Sequence, residues 1–208
     1  MSKRAKKYDP KTRLSHKLSA ILRHGNDGFT NRIDRNGYIL ISELIAHSNF
    51  CQQHGISRND IEEVVKNCQK QRFKIEGNRI KATQGHTINI QDDTLKLLSI
   101  EDLSSFENVT HGTYYKSITP IKAQGISRMT RNHIHLTASD AVGEHGVISG
   151  FRASTEILIY IDTGKAHNNG VQFYLSENNV ILTPGDENGF LKPDFFLKII
   201  DRKTGQAI

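Results

Sequence analysis

The sequence predicts an α+β protein of two lobes, and three observations support this fold class. Apolar residues recur at helical spacing in the first 70 residues, a polar and apolar alternation surrounds a turn at 72–82, and short β-like segments begin near Val109. A chain of 208 residues buries roughly 70% of its unfolded surface, so its core needs no disulfide or metal. We place the boundary within the polar stretch 92–108, which divides the chain into lobes 1–100 and 101–208.

Local signals define the elements of the N-terminal lobe. Asp9-Pro10 supplies a helix cap and a first-turn proline, and the apolar spacing predicts a helix over 10–24 that Gly25 ends. The further elements expected in this lobe are an extended run at 38–41, a short helix from its cap Ser42 to His47, a third helix from Asn59, and a hairpin of segments 72–75 and 79–82. Helices followed by a hairpin are typical of a winged-helix-like lobe.

The C-terminal lobe is expected to be mostly β. Its predicted strands are 133–137, 156–162, 172–175 and 180–183, with glycine, asparagine and proline between them.

Composition and charge exclude some classes of protein. The longest apolar runs, such as 157–161, are far shorter than the roughly 18 residues that cross a bilayer. No apolar segment follows the basic first residues, so we expect an intracellular protein of the cytoplasm or nucleus, with Cys51 and Cys68 as thiols. The net charge is +6, and residues 1–24 hold eight basic residues and one acidic residue. This basic arm and helix suit a polyanion, although a solvated tail has the same composition.

Common catalytic motifs are absent from the sequence. It contains no GxxxxGK[ST], GxGxxG, HExxH or GxSxG, which excludes the usual phosphate loop, dinucleotide turn, zinc protease helix and hydrolase elbow. His133 and His135 have a spacing that places two imidazoles on one face of a strand, but no third ligand follows at a recognisable distance, so we expect no metal.

Arginine and histidine close to glycine are the remaining candidates for chemistry. Arg23-His24 ends the first helix, where cations favourably meet free carbonyls, while Arg72 opens the hairpin and Arg131 opens a strand. Taken singly, each has the properties of an ordinary surface charge.

Short sequence strings that contain these residues carry more specific information about function than the single residues do. The strings are LSHKLS at 14–19 with LRH at 22–24, KQRF at 70–73, ATQGH at 82–86, HGT at 111–113, GISRMTRNHIHL at 125–136, GVISGFR at 146–152 and VILTPG at 180–185. In this order they resemble the motifs of the RNA 2′-phosphotransferases, NAD-dependent enzymes that complete tRNA splicing. His16, Ile126 and Phe151 depart from residues common in that family, where Lys, Leu and Met are usual.

The resemblance implies a winged-helix lobe joined to an ADP-ribosyltransferase-like lobe that binds NAD⁺, with the active site between them. The internal 2′-phosphate of RNA would attack C1″ of NAD⁺ and expel nicotinamide. The ribose O2″ would then attack phosphorus, which leaves a 2′-hydroxyl on the RNA and releases ADP-ribose 1″,2″-cyclic phosphate. NAD⁺ is consumed, no metal is implied, and we expect a monomer that acts on tRNA.

The resemblance also implies roles for individual residues. Catalytic residues would be Arg23, His24, Arg72 and Arg131, and the RNA phosphate would contact Arg23, His24, Arg72 and Lys70. The residues implied for NAD⁺ binding are His111, Gly112, Thr113, His133, His135, Ser149, Gly150 and Arg152. Planar guanidinium groups suit a phosphate whose oxygens gain charge during transfer.

Two alternatives remain at this point. One is an ADP-ribosyltransferase that caps a terminal phosphate of a nucleic acid and stops after the first step. The other is a winged-helix nucleic-acid-binding protein without activity, although binding alone would not require the four implied catalytic residues.

Overall fold

A computed structural model describes residues 9–91, 95–138, 152 and 154–208. The chain divides into two compact units, residues 1–91 and 92–208, each with its own apolar core. The architecture is a mixture of helix and sheet, which confirms the α+β class. No helix in the described part of the chain is long and apolar enough to span a membrane.

In the described part of the first unit there are four α-helices, a short 3-10 helix (Asn26–Gly28) and a three-stranded sheet. Its elements are α1 (Pro10–His24), β1 (Ile39–Leu40), α2 (Ile41–His47), α3 (Asn49–Gln53), α4 (Arg58–Lys66), β2 (Phe73–Glu76) and β3 (Arg79–Ala82). The strands are antiparallel in the order β1-β3-β2, and the predicted hairpin is confirmed, with Phe73 opposite Ala82 and Glu76 opposite Arg79.

Capping explains where the helices of this unit begin and end. The Asp9 carboxylate accepts from the backbone N–H groups of Lys11 and Thr12, and Gly25 ends α1 at φ 63°, as predicted. The prediction that Ser42 caps the next helix is wrong. α2 already begins at Ile41, and its N-cap is Leu40, which has an extended backbone. The helix predicted from Asn59 is α4, and it begins one residue earlier than expected. Its N-cap is Ser57, which forms a capping box with Asp60.

One face of α1 is the centre of the first core. Leu14, Leu18, Ile21 and Leu22 are buried, and they pack with residues of α2, α4 and the hairpin. The short helix α3, which the sequence analysis did not predict, begins at a cap formed by Ser48.

A seven-stranded antiparallel sheet dominates the second unit. Its elements are β4 (Lys96–Leu97), α5 (Ile100–Ser104), β5 (Thr110–Thr113), α6 (Tyr115–Gln124), β6 (Ile126–Ser127), β7 (Ile134–Thr137), β8 (Ile157–Ile161), α7 (Thr163–Asn168), β9 (Tyr174–Leu175), β10 (Val180–Thr183), β11 (Phe190–Leu191) and β12 (Phe196–Asp201). The strand order of the large sheet is β12-β8-β5-β7-β10-β9-β4, and β6 pairs with β11. The core lies on the face that carries Ile134, Leu136, Ile159 and Ile181.

The four strands expected in this unit exist, and β10 has the predicted bounds. The helices α5, α6 and α7 and the strands β4, β5, β6, β11 and β12 were not predicted. The sequence pattern does not predict α6 because this helix contains Pro120, and proline normally interrupts a helix.

Candidate functional site

In the first unit, the segment 83–87, which follows β3, forms hydrogen bonds both with the end of α1 and with the residue before β2. The backbone N–H of Thr87 donates to the Arg23 carbonyl at 2.9 Å, and the Thr87 hydroxyl lies 3.0 Å from Nδ1 of His24. At the other end, the backbone N–H of Thr83 donates to the Arg72 carbonyl at 3.0 Å. This five-residue segment therefore brings Arg23, His24 and Arg72 into one neighbourhood.

Gly85 lies at the middle of this segment and supports an arginine. A Cβ placed on Gly85 would lie 3.4 Å from both Cζ and Nε of Arg23, so the side chain packs directly over the glycine backbone. The φ of Gly85 is +89°, a conformation that residues with a side chain rarely adopt. The sequence thus needs glycine here for both conformation and contact.

A cysteine positions Arg72. Its backbone N–H and its Nη1 both donate to Sγ of Cys68, at 3.5 and 3.6 Å. The Thr83 hydroxyl donates to the Gln71 carbonyl at 3.0 Å, which fixes the turn before β2. Lys70 is half-buried in that same turn.

In the second unit, His111 lies where two strands separate. β5 and β7 pair only at Thr110 and Thr137, and beyond that pair Nδ1 of His111 donates to the His135 carbonyl at 3.0 Å. Burial lowers the pKa of His111, and the charge of Arg131 lowers it further, against an opposing effect of the hydrogen bond. His111 is therefore neutral near pH 7, and its Nε2 is an acceptor.

Two arginines of like charge lie near each other in this unit, and one of them, Arg131, is close enough to His111 for its charge to act on it. Burial lowers the pKa of Arg131, and the nearby charge of Arg152 adds to this effect. Among the residues that the structure describes, neither guanidinium is paired with a carboxylate. An anion would relieve this repulsion and bind to both groups.

A tyrosine and a serine border this cationic cluster. The Tyr114 hydroxyl forms a 3.0 Å hydrogen bond with the Ser154 hydroxyl. This bond lowers the pKa of Tyr114, as does Arg152 to a smaller extent. Tyr114 directly follows β5, so these groups lie beyond the Thr113 end of the strand that carries His111.

The two histidines of the HxH string lie near Tyr174. His133 is buried, and its ring meets the Tyr174 ring edge-on with centroids 5.8 Å apart. His135 is opposite Leu182, which is in turn opposite Tyr174, so the register places His135 and Tyr174 on one face. No group of three metal-ligating side chains occurs in the described ranges.

Comparison with known proteins adds to this geometry. The family model described as RNA 2′-phosphotransferase, Tpt1 / KptA family matches residues 9–185. The chain belongs to this family. It is 42% identical over 190 residues to tRNA 2′-phosphotransferase 1 of Danio rerio, which covers 88% of this chain and 83% of the relative. It is 36% identical to tRNA 2′-phosphotransferase 1 of Mus musculus, over 93% of this chain and 78% of the relative. A putative tRNA 2′-phosphotransferase of Schizosaccharomyces pombe is 38% identical, over 95% of this chain and 54% of that relative.

Membership in the RNA 2′-phosphotransferase family identifies the chain as a transferase, and the family is in general NAD-dependent. The matched region includes both arginine clusters, whereas β12 lies beyond it.

The structure describes most of the site residues that the sequence analysis named. Arg23, His24, Arg72 and Lys70 lie in the first unit. The residues of the second unit that are described are His111, Gly112, Thr113, Arg131, His133, His135 and Arg152. Ser149 and Gly150 lie outside the described residues.

Several contact residues were missed by sequence reasoning. Thr83, Gly85 and Thr87 belong to a string that was recognised, but their individual contacts were not foreseen. Cys68 and Tyr114 carried no signal, because each depends on a fold contact for its role.

Proposed function

We propose that this phosphotransferase moves the internal 2′-phosphate of RNA, such as spliced tRNA, to NAD⁺ in two steps. The observation that carries the proposal is the pair Arg131 and Arg152, two guanidinium groups of like charge, of which Arg131 lies near the neutral His111. Such a cluster suits an anionic ligand, and NAD⁺ supplies a pyrophosphate. The arginines of the first unit supply a second cationic cluster for the RNA phosphate.

In the first step, an oxygen of the RNA 2′-phosphate attacks C1″ of the nicotinamide ribose. A C–O bond forms, the C–N bond breaks, and its electron pair leaves with neutral nicotinamide. Arg23 and Arg72 would hold the phosphate through planar, charge-assisted hydrogen bonds, with Lys70 as an additional cation. The Thr87 hydroxyl lies 3.0 Å from Nδ1 of His24, so His24 would use its Nε2 towards the phosphate or a ribose hydroxyl.

The NAD⁺ contacts would come from the second unit. The acceptor Nε2 of His111 suits a ribose hydroxyl, because the hydrogen bond to the His135 carbonyl fixes the proton on Nδ1. Arg152 suits the pyrophosphate. Gly112 and Thr113 continue β5 at this point, and His133 and His135 occupy the neighbouring strand region.

In the second step, O2″ of the ribose attacks the phosphorus. The new P–O bond closes the cyclic phosphate, the bond to the RNA 2′-oxygen breaks, and the proton from O2″ is balanced by protonation of that 2′-oxygen. Charge grows on the phosphoryl oxygens during this step, where Arg131 and Arg72 would stabilise it.

The architecture supports the finer assignment of the two units. Helices packed on the sheet β1-β3-β2 support a winged-helix-like first unit, and a seven-stranded sheet with a cationic cluster supports an ADP-ribosyltransferase-like second unit. Unpaired thiols at Cys51 and Cys68 support an intracellular location.

One incubation tests the function. RNA with a single radiolabelled internal 2′-phosphate is incubated with the protein, with and without NAD⁺, and each reaction is repeated in EDTA. We expect NAD⁺-dependent formation of labelled ADP-ribose 1″,2″-cyclic phosphate that EDTA does not affect.

Other products would contradict the proposal in distinct ways. A stable ADP-ribosylated RNA without cyclic phosphate would mean that the protein performs only the first step. Release of inorganic phosphate without NAD⁺, or loss of activity in EDTA that a metal restores, would refute the proposed chemistry.

A further inference from the structure

The outward face of α1 carries a basic row. Its buried face holds the core leucines and isoleucine described above, so the residues at complementary spacing face away from the core. Arg13, His16, Ala20 and Arg23 recur at intervals of three, four and three residues along this face. With a rise of 1.5 Å per residue, the row from Arg13 to Arg23 is about 15 Å long. It ends at an arginine proposed to hold the RNA phosphate.

An aromatic stack stands beside the other end of the row. The rings of Phe50 and His54 are stacked, with centroids 4.4 Å apart and an interplanar angle of 29°. Phe50 packs against the core of the first unit, so the inner ring is anchored, whereas His54 is exposed. Stacking against Phe50 leaves the outer face of the imidazole towards solvent.

Arg13 connects the row to this stack. Its Nη2 lies 3.2 Å from Nε2 of His54, and its Cζ lies 5.8 Å from the centre of the Phe50 ring. Because a guanidinium only donates, Nε2 of His54 is the acceptor in this bond. The ring plane of His54 is therefore fixed by two contacts before any ligand arrives.

We propose that the RNA flanking the 2′-phosphate lies along this row and stacks one base on the outer face of His54. Single-stranded RNA is recognised by cations that follow its backbone and by rings that stack on its bases. The row provides the cations and the stack provides the ring, and both lie within the length of α1 from Arg23. This inference rests on the proposed function and extends it to the substrate strand outside the reacting nucleotide.

The charges around α1 favour an RNA strand over a protein. Glu63 and Asp27 contact this helix, and both are engaged by lysines at its flanks, Lys11 at 2.5 Å and Lys17 at 2.6 Å. The row itself contains no acidic residue. Ala20 is the smallest member of the row.

Steady-state kinetics with RNAs of different length test the proposal. Each RNA carries one internal 2′-phosphate: a minimal RNA with one nucleotide on either side, one extended by six nucleotides on the 5′ side, and one extended on the 3′ side. The wild type should show a lower KM for one of the extended RNAs than for the minimal RNA. His54→Ala should raise that KM about 10-fold and leave the minimal RNA within twofold, since stacking of one base is worth about 1–3 kcal/mol.

Matched variants separate stacking from charge and from folding. His54→Phe keeps a ring and should restore the KM to within about twofold of the wild type. Arg13→Gln should raise the KM and reduce the salt slope of RNA binding by about 0.7. The controls His47→Ala and Lys66→Gln remove an exposed histidine and an exposed lysine from α2 and α4, and neither should change any KM beyond twofold.

The outcomes distinguish this proposal from the function on which it rests. Absence of phosphate transfer from every RNA would refute the function itself. If transfer occurs but both extensions leave the wild-type KM unchanged, or if His54→Ala affects the minimal RNA equally, the proposed path is wrong. Failure of His54→Phe to restore the KM, with native circular dichroism, would refute base stacking at this position.

Discussion

Replacement of Gly85 by alanine tests whether the glycine positions the Arg23 guanidinium. The new Cβ would stand 3.4 Å from Cζ and Nε of Arg23, at the short limit of van der Waals contact, so the added methyl group presses directly on the guanidinium. Because misplacement of a catalytic group by 1 Å costs up to about 100-fold in rate, we expect kcat to fall about 10-fold. The positive φ adds strain of about 1–2 kcal/mol, which lowers the Tm of a unit of this size by about 4–15 °C.

Gly77→Ala is the matched control for this variant. Gly77 also has a positive φ, +62°, but nothing lies within 4 Å of a Cβ at that position. It should lower the Tm and leave kcat within twofold of the wild type. The assay is NAD⁺-dependent release of cyclic phosphate at saturating RNA. It is run at least 15 °C below the Tm of either variant, so that unfolding does not contribute to the loss of rate; this difference in Tm corresponds to a destabilisation of about two to three kcal/mol. Equal kcat values for the two variants, both folded, would show that contact with Gly85 does not position Arg23.

Three further predictions follow from the contacts in the two units. Arg72→Ala should slow the second step more than the first, because an arginine on the phosphoryl oxygens is worth several kcal/mol there. Phospho-ADP-ribosylated RNA should then accumulate on a gel, whereas His111→Ala should slow the first step without accumulation; equal loss of both steps in Arg72→Ala would refute its assigned role. Cys68→Val removes the acceptor for Arg72 and should raise the KM for RNA, while Cys68→Ser keeps an acceptor and should restore it; equal effects of both would leave no positioning role for the thiol. Asp201→Asn should lower the Tm at pH 7, since the hydroxyl of Tyr115 and then the groups of Thr204 lower the pKa of Asp201 to about 2. This stabilisation is complete above the ordinary pKa near 3.8 and is lost as the pH falls towards 2. The Tm difference between the wild type and Asp201→Asn should therefore shrink between pH 3.8 and 2, and a constant difference would contradict the prediction.

The elements that sequence reasoning found are those with complete local signals. α1 has its cap at Asp9, its proline in the first turn and its glycine at the end, so its bounds follow from neighbours in the chain. The hairpin has its own turn and alternation. α6 could not be found in this way, because Pro120 suggests a break that the packing of the second unit tolerates.

The site was harder to predict than the elements, since its contacts join distant residues. Arg23 and His24 meet Thr87 across more than 60 positions, and His111 meets the His135 carbonyl only because β5 and β7 separate after one pair. The sequence strings resemble the motifs of a family, and this resemblance indicated which residues belong to the site. Neither the neutral tautomer of His111 nor the closeness of Arg131 and Arg152 could be derived from spacing.

The composition of the two clusters agrees with the electronic demands of the proposed reaction. Among the described residues, both clusters contain arginine and histidine, and the β10 strand, Val-Ile-Leu-Thr, carries no carboxylate. A protein or hydroxyl acceptor needs a base, whereas a phosphate is already an anion and attacks C1″ without one. A carboxylate beside Arg131 would neutralise the charge that the phosphate must meet, and it would compete for the same bidentate donors. In the proposed reaction no glutamate is needed on β10, because the nucleophile brings its own negative charge.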